Sequence, residues 1–138
     1  MTNGVVPMAV LDASALLAFV YDEPGVHRVR PVIARGAAIS GINWAEALSD
    51  LAERGESAEI AAPRVAQAVS KVGTLVILPF DEVQAIEVAR LSMRTKSLGL
   101  SLADRACLAL GRLRRLPVLT TDRAWRSLHI SVTIVVIR

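Results

Sequence analysis

Cysteine is almost absent from this chain. Its 138 residues include one, Cys107. No intrachain disulfide can form, and the composition fits a reducing compartment, with the cytoplasm as the expected location. Aromatic residues are nearly as scarce: Phe19, Tyr21, Trp44, Phe80 and Trp125 make up 4% of the chain. A core is therefore expected to consist of Ala, Val, Leu and Ile, and any binding mode that stacks ligand rings on several aromatic side chains is disfavoured. No apolar run approaches the roughly 18 to 20 residues that span a bilayer, which argues against a membrane partner. The opening MTNGVVPMAVLDAS lacks a basic start, and Pro7 and Asp12 interrupt its apolar run, so it does not read as a secretory leader. Neither sign of charge dominates. The formal net charge is +3, and the arginines come in short groups such as Arg112, Arg114 and Arg115. That balance permits binding to a polyanion without demanding it.

What is present is hydrophobic mass, 53% of 138 residues. This suits one compact domain over residues 1–138. Residues 8–12 read as a buried strand, followed by a helix over 14–21 that Asp22-Glu23-Pro24-Gly25 ends. A second helix is expected from His27 to Arg35, closed by Gly36. AAIS at 37–40 is a weak strand. NWAEALSDLAERG is an amphipathic helix with Trp44, Ala47, Leu48 and Leu51 on one face. Residues 57–72 form another helix, which Pro63 is expected to kink or divide. LVILPF at 75–80 is a strand, and Asp81 with Gln84 resembles a capping box opening a helix to Lys96. A helix from Ser101 to Arg115, the strand PVLTT, a short helix from Asp122 and the strand TIVVI at 133–137 complete the chain. This alternation predicts an α/β fold: a mainly parallel sheet of about five strands with helices on both faces. The apolar character of LVIL and TIVVI reads as that of central strands buried on both sides.

Four acids stand where a strand or loop passes into a helix: Asp12 in MAVLDASAL, Glu46 in INWAEALSD, Asp104 in GLSLADRAC and Asp122 in PVLTTDRAW. Each alone has a structural explanation. Asp12 and Asp122 suit helix N-caps, and Asn43 with Glu46 and Ser101 with Asp104 have capping-box spacing. The set is harder to explain this way. In an open parallel sheet the carboxyl ends of the strands form the functional crevice. Carboxylates gathered there repel one another and resist desolvation unless a hard cation joins them, and oxygen-ligated Mg²⁺ or Mn²⁺ is the natural choice. Asp104 adds a hint, because Cys107, Leu108 and Gly111 follow on its side of the helix and make an exit into bulk water unfavourable.

The segments LDASALLAFVYDEPG, INWAEALSDLAERG, LSLADRACLALG and VLTTDRAW resemble, in order and spacing, the acidic boxes of the PIN domain family, and most closely its VapC-type toxins. The resemblance spans the chain from Ala9 to the last strand. It implies a Mg²⁺- or Mn²⁺-dependent ribonuclease, the toxin of a type II toxin–antitoxin pair, with Asp12, Glu46, Asp104 and Asp122 as catalytic, metal-binding acids. It further implies that Ser14, Asn43 and Thr120 are supporting polar residues, that a cognate antitoxin silences the enzyme, and that the protein is a homodimer. Some relatives carry one more acid after the fourth box, where this chain has RAWRSLH; that departure bears on a second metal rather than the first.

Arg105 and Arg123 each follow a box acid and could pair with the cluster or touch RNA phosphates. His27 and His129 lie outside the boxes. Trp44, Trp125 and Cys107 read as packing residues. Leu16, Leu17, Phe19, Val20 and Tyr21 offer more apolar surface than one small core is expected to cover, which would suit a partner. Three other readings compete with the toxin: a housekeeping RNA-processing nuclease, a non-catalytic metal- or RNA-binding module, and a phosphoacceptor receiver module. The last also gathers aspartates around Mg²⁺, but it needs an acidic pair after the first strand and a lysine after the last central strand, and both are missing here.

Overall fold

The computed structural model describes residues 4–138. Among these residues five strands form one wholly parallel sheet: β1 (Ala9–Leu11), β2 (Ala37–Ser40), β3 (Leu75–Leu78), β4 (Val118–Thr120) and β5 (Ile134–Val136), in the order β3-β2-β1-β4-β5. Six α-helices connect them: α1 (Ala13–Val20), α2 (Val26–Arg35), α3 (Gly41–Glu53), α4 (Ala58–Ser70), α5 (Glu82–Arg94) and α6 (Leu102–Arg114). Short 3₁₀ turns cover Lys96–Leu98 and Arg123–Ser127. Among the described residues no helix is long and apolar enough to cross a membrane.

Successive strand side chains point to opposite faces, so each strand feeds two cores. Ala9, Leu11, Ala37, Ile39 and Leu119 join the core under α1 to α4. Val10, Ala38 and Val118 join the other, under α5 and α6, where Trp125 and Cys107 are buried as packing residues. β1 lies between β2 and β4, and the chain winds outward from it in both directions. The crevice between the carboxyl ends of β1 and β4 is therefore the topological switch point.

Several expectations need correction. LVIL and IVV are the two edge strands, only partly buried, whereas the weak-looking AAIS is buried at every position. Leu16 and Phe19 are buried, and Leu17, Val20 and Tyr21 are partly buried against the same core, so the core takes up more of this apolar surface than expected. Pro63 does not divide its helix: α4 is continuous over 13 residues, and Pro31 sits likewise inside α2. Both prolines lie on solvent-facing positions, where the carbonyl each deprives of a partner can bind water. The cap of α3 is Ser40 and not Asn43; the Ser40 side chain accepts from the Ile42 N–H at 3.2 Å. Asp81 caps α5 as expected, but Gln84 Nε2 donates to the Pro79 carbonyl and its Oε1 accepts no bond from the Asp81 N–H, so the box is not closed.

One glycine sets the distance between a helix and the sheet. A Cβ at Gly111 on α6 would lie 2.4 Å from Cγ2 of buried Val118 on β4 and 3.2 Å from the Leu116 carbonyl oxygen. Its absence lets α6, which carries Asp104, lie close against β4. Gly111→Ala is expected to destabilise the protein by about 1–3 kcal/mol through overpacking. Urea unfolding checks this, and adding Val118→Ala should remove much of that penalty.

Candidate functional site

Asp12 stands at the switch point. Its backbone N–H extends the β1–β4 ladder to the Leu119 carbonyl at 3.1 Å, and its side chain caps α1. Oδ1 accepts from the Ala15 N–H at 2.8 Å and from the Ser14 hydroxyl at 2.7 Å. Oδ2 accepts from the Thr120 hydroxyl at 2.5 Å. Each hydroxyl has one proton to give and gives it to Asp12, while its oxygen accepts from the main chain: Ser14 from the Thr121 N–H and Thr120 from the Asp122 N–H, both at 3.0 Å. Two hydroxyl relays thus tie one carboxylate to the loop that follows β4.

These bonds all favour the ionised form, yet burial outweighs them. Desolvation, with a smaller contribution from the charge of Asp104, pushes the Asp12 pKa from 3.8 up to about 6. Among the described residues no lysine or arginine forms an ion pair with any of the four box acids.

The remaining acids arrive on separate elements. Glu46 projects from the second turn of α3. Partial burial raises its pKa, a hydrogen bond from Asn43 opposes the shift, and the Asp104 charge adds to it. Asn43 is itself buried, and its Nδ2 donates to the Ala103 carbonyl at 2.9 Å, joining α3 to α6 one residue before Asp104. Asp104 completes a capping box with Ser101, with both bonds at 3.0 Å. Asp122 is exposed and caps the 3₁₀ turn through the Ala124 N–H at 2.9 Å. Capping and clustering therefore coexist at Asp12, Asp104 and Asp122, because three helical N-termini open onto one crevice.

All four acids, with Ser14, line a single open cleft of about 440 Å³. Thr120 lies beneath it, bonded to Asp12. Ala13, Leu17 and Thr121 complete the lining. Leu17, expected on an apolar partner surface, lies instead in the cleft lining, and Thr121 was not among the expected site residues, although the Thr120-Thr121 doublet at the end of β4 was a signal for it. Arg105 and Arg123 are placed outside the cleft lining. Arg105 donates to the Val88 carbonyl on α5 at 3.3 Å, and Arg123 to the Arg138 carbonyl at 3.1 Å. Cys107 lies fully buried, one helical turn beyond Asp104. Burial and then the charges of Asp12, Asp104 and Glu46 hold its thiol protonated.

The donor set consists of hard oxygen atoms carrying like charges, which suits Mg²⁺ or Mn²⁺ and no softer ion. As the side chains stand, no group of three or more His, Cys, Asp or Glu among the described residues converges closely enough to enclose a metal. The arrangement fits an ion that keeps much of its water and takes few carboxylates directly.

The family model for the PIN domain matches residues 9–130, a span that contains all four acids. No curated protein gives a significant match. Among solved structures the chain is similar to DNA-bound VapBC from Salmonella typhimurium, at 18% identity and a TM-score of 0.69, covering 94% of this chain and 98% of that one. It is similar to FitAcB from Neisseria gonorrhoeae at 22% identity and a TM-score of 0.67, covering 92% and 96%. VapBC-5 from Mycobacterium tuberculosis, a member of the VapBC family of toxin–antitoxin systems, gives 23% identity and a TM-score of 0.56, covering 96% and 99%. At these identities the likeness is one of fold.

The Asp12 shift has a consequence for stability. The folded carboxyl keeps its proton up to about pH 6, whereas the unfolded one releases it near 3.8. Its contribution therefore costs nothing below about pH 4, grows as pH rises to 6, and reaches about 3 kcal/mol of destabilisation above that. Glu46 adds in the same direction. In chelator, Asp12→Asn is expected to be more stable than the wild type at pH 7.5 and to lose that advantage at pH 4. Chemical unfolding of both proteins across this range checks it; a difference that does not vary with pH would contradict the burial of the charge.

Proposed function

The chain belongs to the PIN domain family, and from that membership we propose that it is a divalent-metal-dependent endoribonuclease, one PIN domain over residues 1–138, acting as the toxin of a type II toxin–antitoxin pair. The observation that carries this reading is the buried Asp12 carboxylate. It is hydrogen-bonded on both oxygens and opens on a cleft lined by three more acids, with no cation among the described residues paired to any of them. A structural cap needs no such company. VapBC and FitAcB, whose solved structures share this fold, support the toxin assignment, and the same likeness makes a cognate antitoxin the expected partner. The proposed assembly, carried over from the resemblance to the family, also includes a second copy of the chain as a homodimer.

Asp12 and Asp104 would hold Mg²⁺ or Mn²⁺ most directly, with Glu46 and Asp122 beside it or reaching it through water. When bound, the ion supplies a polarised phosphate and a water of lowered pKa for in-line hydrolysis. The chain's own contribution is to fix the carboxylates beforehand. Ser14 and Thr120 hold both Asp12 oxygens in place, Ser101 orients Asp104, and Asn43 keeps the two helices bearing Glu46 and Asp104 in register. The lining of the cleft contains no aromatic ring. Target choice would then rest on RNA shape and phosphate contacts rather than stacked bases. Arg105 and Arg123 each retain N–H donors beyond the single carbonyl bond, which leaves them available to phosphate oxygens at the flanks.

Purified protein is expected to cleave total RNA with Mn²⁺ or Mg²⁺, to stop in chelator, and to lose cleavage in Asp104→Asn while circular dichroism stays that of the folded wild type. Cleavage that persists in both chelator and the variant would contradict the proposal.

A further inference from the structure

A second surface feature lies apart from the acidic cleft. α2 turns one face, Arg28, Pro31, Val32 and Arg35, toward Leu119 and Val135 of β4 and β5, leaving a groove of about 350 Å³ that runs down to Met8 and Pro117. Met8 and Pro117 immediately precede β1 and β4, so the groove opens toward the amino ends of those strands, whereas the acids stand at the carboxyl ends. Its floor is apolar. Met8 is half exposed at 51% and Val6, two residues before it, is exposed at 77%, so the apolar surface continues out of the groove.

The charge on its wall is of one sign. Arg28 donates to the Val136 carbonyl at 3.1 Å, which pins its guanidinium beside β5. Arg35 is exposed, in the last turn of α2. Neither arginine has a carboxylate partner among the described residues, and no acid lines the groove. A guanidinium held near apolar surface is best satisfied by a carboxylate approaching over that surface.

We propose that the groove between α2 and the β4–β5 face is a docking site for a partner protein segment that carries apolar side chains flanked by Asp or Glu. The apolar side chains fill the trench between Val32, Leu119 and Val135, and the carboxylates meet Arg28 and Arg35. The occupant leaves the four acids uncovered. This site stands whether or not the chain cleaves RNA.

The test is a ¹⁵N-HSQC titration of the full chain with the blocked peptide Ac-Glu-Leu-Glu-Glu-Leu-Leu-Glu-NH₂, beside the same peptide with lysine in place of glutamate, and with decanoate. Arg35→Glu is the variant, because that side chain is exposed and its replacement leaves the Arg28 bond intact. Amide shifts confined to Val32, Arg35, Leu119 and Val135, with Ser14 and Thr121 unmoved, are expected for the acidic peptide only. The affinity they report should fall by at least about tenfold in Arg35→Glu, which removes one charge-assisted contact and sets a carboxylate against those of the peptide, and should fall also with added salt. No shift at up to about 1 mM acidic peptide, well above the range of specific docking, would overturn the proposal. So would equal binding of the lysine peptide, or shifts with decanoate alone.

Discussion

The site is organised around the cost of placing an ionised carboxylate at the end of the central strand. Asp12 follows β1, with β2 and β4 on either side and both cores beneath, so water reaches little of it. The protein answers with hydrogen bonds rather than an opposite charge: one main-chain N–H and two hydroxyls, each hydroxyl held in turn by the loop after β4. These do not balance desolvation, and the pKa stays near 6. An uncompensated buried anion that faces an open acidic cleft is a binding energy held ready for a cation.

The rest of the fold determines which other acids share that field. Parallel strands require crossover helices, and every helix that begins above the carboxyl edge presents its N-terminus there. Asp104 and Asp122 reach the cleft in this way. Glu46 reaches it from the second turn of α3, and the Asn43 bond to the Ala103 carbonyl fixes α3 against α6. Gly111 lets α6, the helix that carries Asp104, lie close on β4. Local caps and long-range packing therefore act on the same few side chains.

Much of this was legible in the sequence. Asp12 and Asp122 could be placed because an apolar run ending in an acid before a helix is both a strand end and a cap. The Ser101–Asp104 spacing declared its box. Strand order was harder to read. LVIL and TIVVI look central because apolar runs are long there, but AAIS, like β1 and β4, is buried throughout: its small residues let α3 and α6 pack close, and small residues give a weak periodic signal. The cap at Ser40 was hidden for a related reason, since strand and helix meet at Gly41 with no intervening loop. Pro63 misled because its cost depends on whether the freed carbonyl meets water, which the sequence alone does not reveal. The roles of Arg105 and Arg123 were equally hidden, because the carbonyls they bind, on Val88 and Arg138, lie 17 and 15 residues away.

The central claim is that Asp12 is a buried anion awaiting a divalent cation. Carboxyl ¹³C chemical shifts of Asp12 followed through a pH titration, without and with Mg²⁺, address it directly. The account predicts a midpoint near 6 in the metal-free protein and a fall below the ordinary aspartate value of 3.8 when Mg²⁺ is present. A midpoint already near 3.8 without metal, or one near 6 that Mg²⁺ leaves unmoved, would contradict it.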